Sequence, residues 1–291
     1  MVSFRIGGGL FTGVDSLGFI IVNVPLWGAL LMDRHEILCD YLESEVIDAI
    51  CDNRIYVAIQ GVHSVANIDH MLYGECFARL LARNGCVHNA GDFIPVLDSR
   101  GSTPILDRHM VKLVLDELAA DSRAVLGCNI SADSVADEAA WLPIKVQLEN
   151  RSYLIDRLIL EVTETRPLVN VTNANKAFHQ ARQLGCRIAI DDFGRGHITP
   201  EQLLSLEVDI VKIDALFVQN IKESKEAGTS LHHMVGLAKC AAPIVVVEGV
   251  ETSPQLVAAA MAGATHAQGF FLSPPVIMQS CVSTMRTSSE G

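Results

Sequence analysis

Positive charge is scarce in this chain of 291 residues: 22 Lys and Arg stand against 34 Asp and Glu, a formal net charge of −12. At a distance such a field repels polyanions, which excludes a large surface for nucleic acid polymers or an acidic membrane. Charge of either sign is sparse, at 19% of residues, while 49% are hydrophobic. That balance suits a packed interior and not a disordered chain. The eight cysteines include no C-x-x-C pair, so neither a local zinc cage nor a redox dithiol is written here. Several stand inside apolar runs, Cys128 in VLGCNI and Cys186 in GCRIAI, as reduced thiols acting as small buried hydrophobes do. This usage points to a cytoplasmic compartment.

An apolar run long enough to span a membrane is missing as well. Leu17 to Met32 is apolar for 16 residues, short of the roughly 20 that a spanning helix needs, and Asn23, Pro25 and two glycines weaken it. Extending back to Leu10 brings in Asp15, at a few kcal/mol near a bilayer centre. No small-x-small cleavage pattern follows before Asp33 and Arg34, against a secretory signal. Residues 1–41 read as an apolar extension that packs on the domain or on a partner. The alternative is an inner-membrane anchor through residues 10–32, with the remainder in the cytoplasm. Residues 286–291 read as a tail.

From about Leu42 the pattern changes. RIYVAIQ, AVLGCNIS, RLILEVTE, CRIAIDDFG, VDIVKIDA, PIVVVEGVE and HAQGFFLS alternate with helix-length stretches, the pattern of parallel βα units. Asn173 to Leu184 predicts a helix closed by Gly185, and Pro200 to Leu206 another with an early proline. Gln60, Asn129, Glu161, Asp191, Lys212, Glu248 and Gln268 stand at or near the C-terminal ends of the seven apolar runs. From Glu161 onward successive sites are 20 to 36 residues apart, one βα unit each. A closed barrel brings those strand ends to one mouth. An open doubly wound sheet would spread them along a crevice, and no glycine-rich phosphate loop follows the first strand. The predicted fold is therefore α/β, a TIM-like (β/α) barrel over residues 42–285.

Glu75, Asn129, Glu161, Asp191, Asp192 and Glu248 place five carboxylates and an amide oxygen at that mouth, a hard-oxygen set suited to Mg²⁺ or Mn²⁺. In the adjacent pair Asp191-Asp192, one carboxylate can bridge two ions while its neighbour serves the second. Two ions ~3.5–4 Å apart activate a water and stabilise both oxygens of a phosphoryl displacement. Lys212 supplies charge to orient the water or offset developing charge. Taken singly, Asp-Asp-Phe-Gly reads as a turn or cap and Lys212 as an ordinary lysine; their convergence makes a two-metal phosphodiesterase site. His232-His233 reads as a solvated helix face, and Met110, Val111 and Val114 as core.

The segments YGECFAR, GDFIPVLD, CNIS, LEVTET, IAIDDFGRG, VDIVKID, VVVEGVET and AQGFFLSPP resemble, in order, the EAL domain of bacterial cyclic di-GMP phosphodiesterases. The likeness covers roughly Ser44 to Val276. It implies a TIM-like barrel, two Mg²⁺ or Mn²⁺ per site, and hydrolysis of cyclic di-GMP to linear pGpG. Glu75 matches the signature glutamate and, with Asn129, Glu161 and a bridging Asp191, the ligands of the first metal. Asp192 and Glu248 match ligands around the second. Lys212 matches the lysine that holds the catalytic water, and Glu164 the glutamate bracing the loop after the Asp pair. Gln60, Arg79, Glu251 and Gln268 match positions lining the substrate or its surroundings. A homodimer through the helix and loop beside the Asp pair is implied too.

Three departures stand out. The signature Glu-Ala-Leu is Glu75-Cys76-Phe77, the loop Gly194 to Pro200 lacks the usual small residue, aromatic and serines, and the usual Gln-Pro is Gln60-Gly61. Phenylalanine for leucine adds volume that shifts the glutamate slightly or is absorbed by repacking. The alternative these departures leave is an EAL module that binds cyclic di-GMP or a protein partner without turnover. Retention of every acidic ligand favours the hydrolase.

Overall fold

The structure, a computed structural model, describes residues 5–6, 9–14, 20–23, 34–163, 167–223 and 228–277. The chain divides into two units between Ser44 and Glu45. In the first, strands Arg5–Ile6, Gly9–Val14 and Ile20–Asn23 pair antiparallel in that order. Of the apolar run from Leu17 to Met32, only Ile20–Asn23 is among the described residues. No described helix is long and apolar enough to cross a membrane. Residues 286–291 and Cys281 lie outside the described residues.

The second unit is built on eight strands: β1 (Ile55–Ser64), β2 (Met71–Leu81), β3 (Leu126–Ser131), β4 (Leu158–Thr163), β5 (Arg187–Phe193), β6 (Ile210–Ile213), β7 (Ile244–Val247) and β8 (His266–Ala267). Each pairs with the next, and β8 and β2 both pair with β1, so the sheet closes into a barrel. Helices follow β2 through β7, among them Thr103–Ala120, Glu138–Asn150, Val171–Gln183, Ser230–Lys239 and Ser253–Ala262.

Both faces of this sheet are buried, which is why its strands read as nearly continuous apolar runs. Outward residues such as Leu160, Ile188, Val211 and Val245 pack against Leu106, Met110, Val114, Phe178 and Leu231 of the helices. Inward residues Val62, Tyr73, Ile159, Ala189, Ile210 and Val246 form a separate apolar layer inside the barrel. The cysteines divide: Cys39, Cys76, Cys128 and Cys186 are buried, whereas Cys51, Cys86 and Cys240 are exposed.

Helix boundaries follow the local chemistry. Val171–Gln183 is capped by the Asn170 side chain, which accepts from the Asn173 N–H, and Gly185 just beyond it takes φ of 102°, the left-handed stop that glycine allows. Helix Pro200–Ser205 opens with a capping box between Thr199 and Gln202. His232 and His233 are exposed on the first turn of Ser230–Lys239.

Three sequence expectations need correction. β1 is not parallel to its neighbours: it runs antiparallel to both β2 and β8. The link at residues 65–70 is a short hairpin turn closed by Ser64 N–H donating to His70 O at 3.0 Å, too short for the crossover a parallel pair needs. Gln60 therefore lies mid-strand, as does Glu75 on β2, and neither is at a strand end. In HAQGFFLS only His266–Ala267 is strand.

Candidate active site at the barrel mouth

Strand alternation decides which side chains meet. One step above the inner apolar layer every strand contributes a polar residue. Glu75 stands above Tyr73, Glu161 above Ile159, Asp191 above Ala189, Lys212 above Ile210 and Glu248 above Val246. Asn129 stands above Gly127 and Gln268 above His266. Because β1 runs the other way, Gln60 stands above Val62, in register with Glu75.

Lys212 is the centre of this ring. Its fully buried Nζ lies 2.7 Å from Glu75 Oε2, 2.9 Å from Glu161 Oε2, 2.7 Å from Asp191 Oδ1 and 2.9 Å from Glu248 Oε1. Glu75 also accepts from Asn129 Nδ2 at 2.7 Å and from Gln268 Nε2 at 2.8 Å. Asp191 and Asp192 reach the mouth together through a bulge. On either side of it Val211 pairs with Ile190 and Ile213 with Phe193, so two residues of β5 face Lys212 alone. Asp192 takes φ of 54° there, a conformation aspartate tolerates better than most residues.

Five carboxylates share one ammonium, and their proton affinities record the imbalance. Burial, then the charge of Glu75, lifts Glu161 to about 8. Burial and the charge of Asp191 lift Asp192 to about 7, with a hydrogen bond to Asp214 contributing. Burial likewise raises Asp191 and carries Glu248 well above the usual carboxylate range. Burial alone would depress Lys212, but the carboxylates, Asp191 foremost, hold it well above its ordinary value.

These residues fit a hard divalent cation. Asn129 Oδ1, Glu161 Oε1 and Gln268 Oε1 are buried acceptors with no hydrogen-bond partner, and Asn129 and Glu161 are register partners on adjacent strands. Unsatisfied oxygens beside surplus negative charge are what such an ion stabilises. Among the described residues no group of His, Cys, Asp or Glu already forms a metal cage; the carboxylates converge on Lys212.

A cleft of about 250 Å³ opens above the ring, lined by Gln60, Glu75, Asp191, Asp192, Glu248, Glu251 and Gln268 together with Phe77 and Phe270. The structure separates the two signature departures. Cys76 faces the helices, 1% exposed. Phe77 shares the inward face of β2 with Glu75 and lines the cleft, with the Arg79 guanidinium 5.9 Å from its ring centre. Its extra volume goes to the cleft, while Glu75 is held by Asn129, Lys212 and Gln268. Burial depresses the Arg79 guanidinium somewhat. Gln60 Nε2 is committed to Ser273 O at 2.9 Å, and the Gly61 N–H donates to Ser273 Oγ at 3.2 Å, a bond proline cannot make. In the altered loop Gly194 takes φ of 99°, and a Cβ there would meet Phe217 at 2.5 Å. Glu164 lies outside the described residues.

Sequence reasoning missed three residues of the site. Tyr73 Oη donates to Glu161 Oε2 at 3.0 Å. Gly127 leaves space for that carboxylate, since a Cβ would sit 1.9 Å from Glu161 Oε1. Asp214, 3% exposed, accepts from Leu216 N–H at 2.8 Å and pairs with Arg195 at 3.6 Å. The signal for Tyr73 and Gly127 was the two-residue step below Glu75 and Asn129.

A barrel with an acidic ring of this kind defines the class. Residues 43–275 match the EAL domain family, and the chain belongs to it. It is 28% identical over 249 residues to the Escherichia coli (strain K12) protein named cyclic di-GMP phosphodiesterase PdeF, covering 81% of this chain and 33% of PdeF. It is 32% identical over 192 residues to cyclic di-GMP phosphodiesterase PdeL of the same organism, covering 63% of this chain and 52% of PdeL. The chain thus spans a third to a half of the length of these relatives. Its fold superposes on the FimX EAL domain from Pseudomonas aeruginosa, a structure bound to c-di-GMP, with a TM-score of 0.70 at 23% identity, covering 81% of this chain and 96% of that one.

Proposed function

We propose that the chain hydrolyses cyclic di-GMP to linear pGpG in a reaction that depends on two divalent cations, Mg²⁺ or Mn²⁺. The observation that carries this reading is the complete acidic ring around Lys212, with Asn129 Oδ1 and Glu161 Oε1 left without partners. Glu75, Asn129, Glu161 and Asp191 would hold one cation, and Asp191, Asp192 and Glu248 the other. Bound there, the cations lower the pKa of a water and offset charge on the phosphoryl oxygens.

The chain's own residues do the rest. Lys212 orients the attacking water from the centre of the ring, and the Glu248 carboxylate, 2.9 Å from Lys212 Nζ, takes up the water's proton. Water oxygen bonds to phosphorus, the P–O ester bond breaks, and the leaving oxygen takes a proton, so one water is added and the ring opens. Gln60, Arg79, Glu251 and Gln268 hold the dinucleotide in the cleft, and the functional unit is a homodimer in the cytoplasm. Binding without turnover is the second reading, and the altered loop from Gly194 to Pro200 is the observation that favours it.

The test is chromatographic: purified protein, cyclic di-GMP and Mg²⁺ or Mn²⁺, beside direct binding in Ca²⁺. We expect pGpG, with turnover abolished in Asp191→Asn and in Glu75→Ala. Wild-type rates in both variants overturn the metal assignment. Binding without product establishes the second reading.

A further inference from the structure

We propose that Tyr73 is a positioning residue of the site: its phenol fixes Glu161 so that Oε1 is the oxygen presented to a cation. The inference rests on the proposed function and deepens it. Tyr73 is fully buried in the layer directly beneath the acidic ring. Its Oη donates to Glu161 Oε2 at 3.0 Å, and Lys212 Nζ lies 2.9 Å from the same oxygen. Two donors thus fall on Oε2 and none on Oε1. A carboxylate free to rotate would exchange its oxygens; this one is pinned from below and from the side.

Gly127 completes the device. A Cβ on it would lie 1.9 Å from Glu161 Oε1 and 2.7 Å from Tyr73 Cε2, so the missing side chain is the space that both the ring and the carboxylate use. Gly127 is in register with Glu75 on one side and Ile159 on the other. The three residues therefore lock together across β2, β3 and β4. A phenol is protonated at neutral pH, so Tyr73 acts as the donor. Hydrogen-bond partners of this kind orient metal ligands, and their loss typically weakens metal affinity by about 10–100-fold.

Tyr73→Phe keeps the ring and removes only the O–H. Mn²⁺ affinity, read from the electron paramagnetic resonance of free Mn²⁺ in a titration without nucleotide, is expected to fall about tenfold. The kcat for cyclic di-GMP at fixed Mn²⁺ falls with it while KM holds, and saturating Mn²⁺ restores most of kcat. Gly127→Ala, which displaces the same carboxylate from the other side, should weaken Mn²⁺ binding likewise. It stands in as the reporter if the phenylalanine variant does not fold. Unchanged Mn²⁺ affinity in a folded variant overturns the inference alone. A wild-type chain that binds no Mn²⁺ overturns it together with the proposed function.

Discussion

At the residue scale, Lys212 holds the ring of carboxylates together. Among the described residues it is the one cation facing Glu75, Glu161, Asp191 and Glu248 at hydrogen-bonding distance. Removing one partner of a buried charge network leaves the others uncompensated, at about 3–5 kcal/mol. Lys212→Met should therefore lose about that much in urea denaturation with chelator, and Mg²⁺ should restore part of it. Asp107 offers a separate test through pH. Its buried carboxylate accepts from Ser131 N–H, Ser131 Oγ and Ser134 Oγ at 2.7–2.8 Å, yet burial pushes it up to about 6. A carboxyl whose folded pKa is raised stabilises the fold when protonated, and that contribution is lost as pH rises from the ordinary value near 4 to about 6. In Asp107→Asn this part of the slope vanishes. The stability difference, variant minus wild type, should climb between pH 4 and 6 and stay level above, as read from melts at stepped pH. Glu161, Asp191 and Glu248 were legible as a convergent set because each stands at or near the end of an apolar run. Tyr73 was not, because a strand tyrosine reads as core until the barrel closes and sets Glu161 against its hydroxyl.

At the scale of elements, the strand runs and the helices Val171–Gln183 and Pro200–Ser205 were legible from β-branched clusters, caps and prolines. Direction was not legible for β1, because the period-two burial of a strand is the same whichever way it runs. Nor was the bulge at Asp191-Asp192, since strict alternation sends consecutive residues to opposite faces. The Ser273 contact belongs to this scale: it ties the segment after β8 to β1 through the Gly61 N–H and Gln60 Nε2. Gly61→Pro, which restores the residue usual in the resemblance, removes that donor and puts a Cβ 2.4 Å from His63 Nε2, so it should lower stability by at least about 1 kcal/mol. A shift of the urea midpoint with unchanged slope is the measurement.

At the scale of the whole molecule, the spacing of polar strand ends already implied closure, and the barrel confirms it. The residues before the barrel carry no such spacing, and their reading rested on hydropathy alone. A chain of net charge −12 that concentrates carboxylates in one buried ring should respond to divalent ions as a unit. At a hundredfold excess over the dissociation constant, Mn²⁺ should add about 2.7 kcal/mol to global stability, seen as a rise of several degrees in melting temperature. Asp191→Asn should lose that rise.

The reversed course of β1 also sets where the chain enters the barrel. Ile55 is in register with Leu80, beyond Glu75 on the mouth side, while His63 pairs with Met71 at the far end. The chain therefore joins the barrel at its mouth and not, as an all-parallel barrel would have it, at the floor. Between Ile55 and Gln60 runs one uninterrupted strand, about 17 Å long at ordinary strand rise. The point where the chain enters the barrel and the Gln60 side chain that lines the cleft are thus two ends of one strand segment.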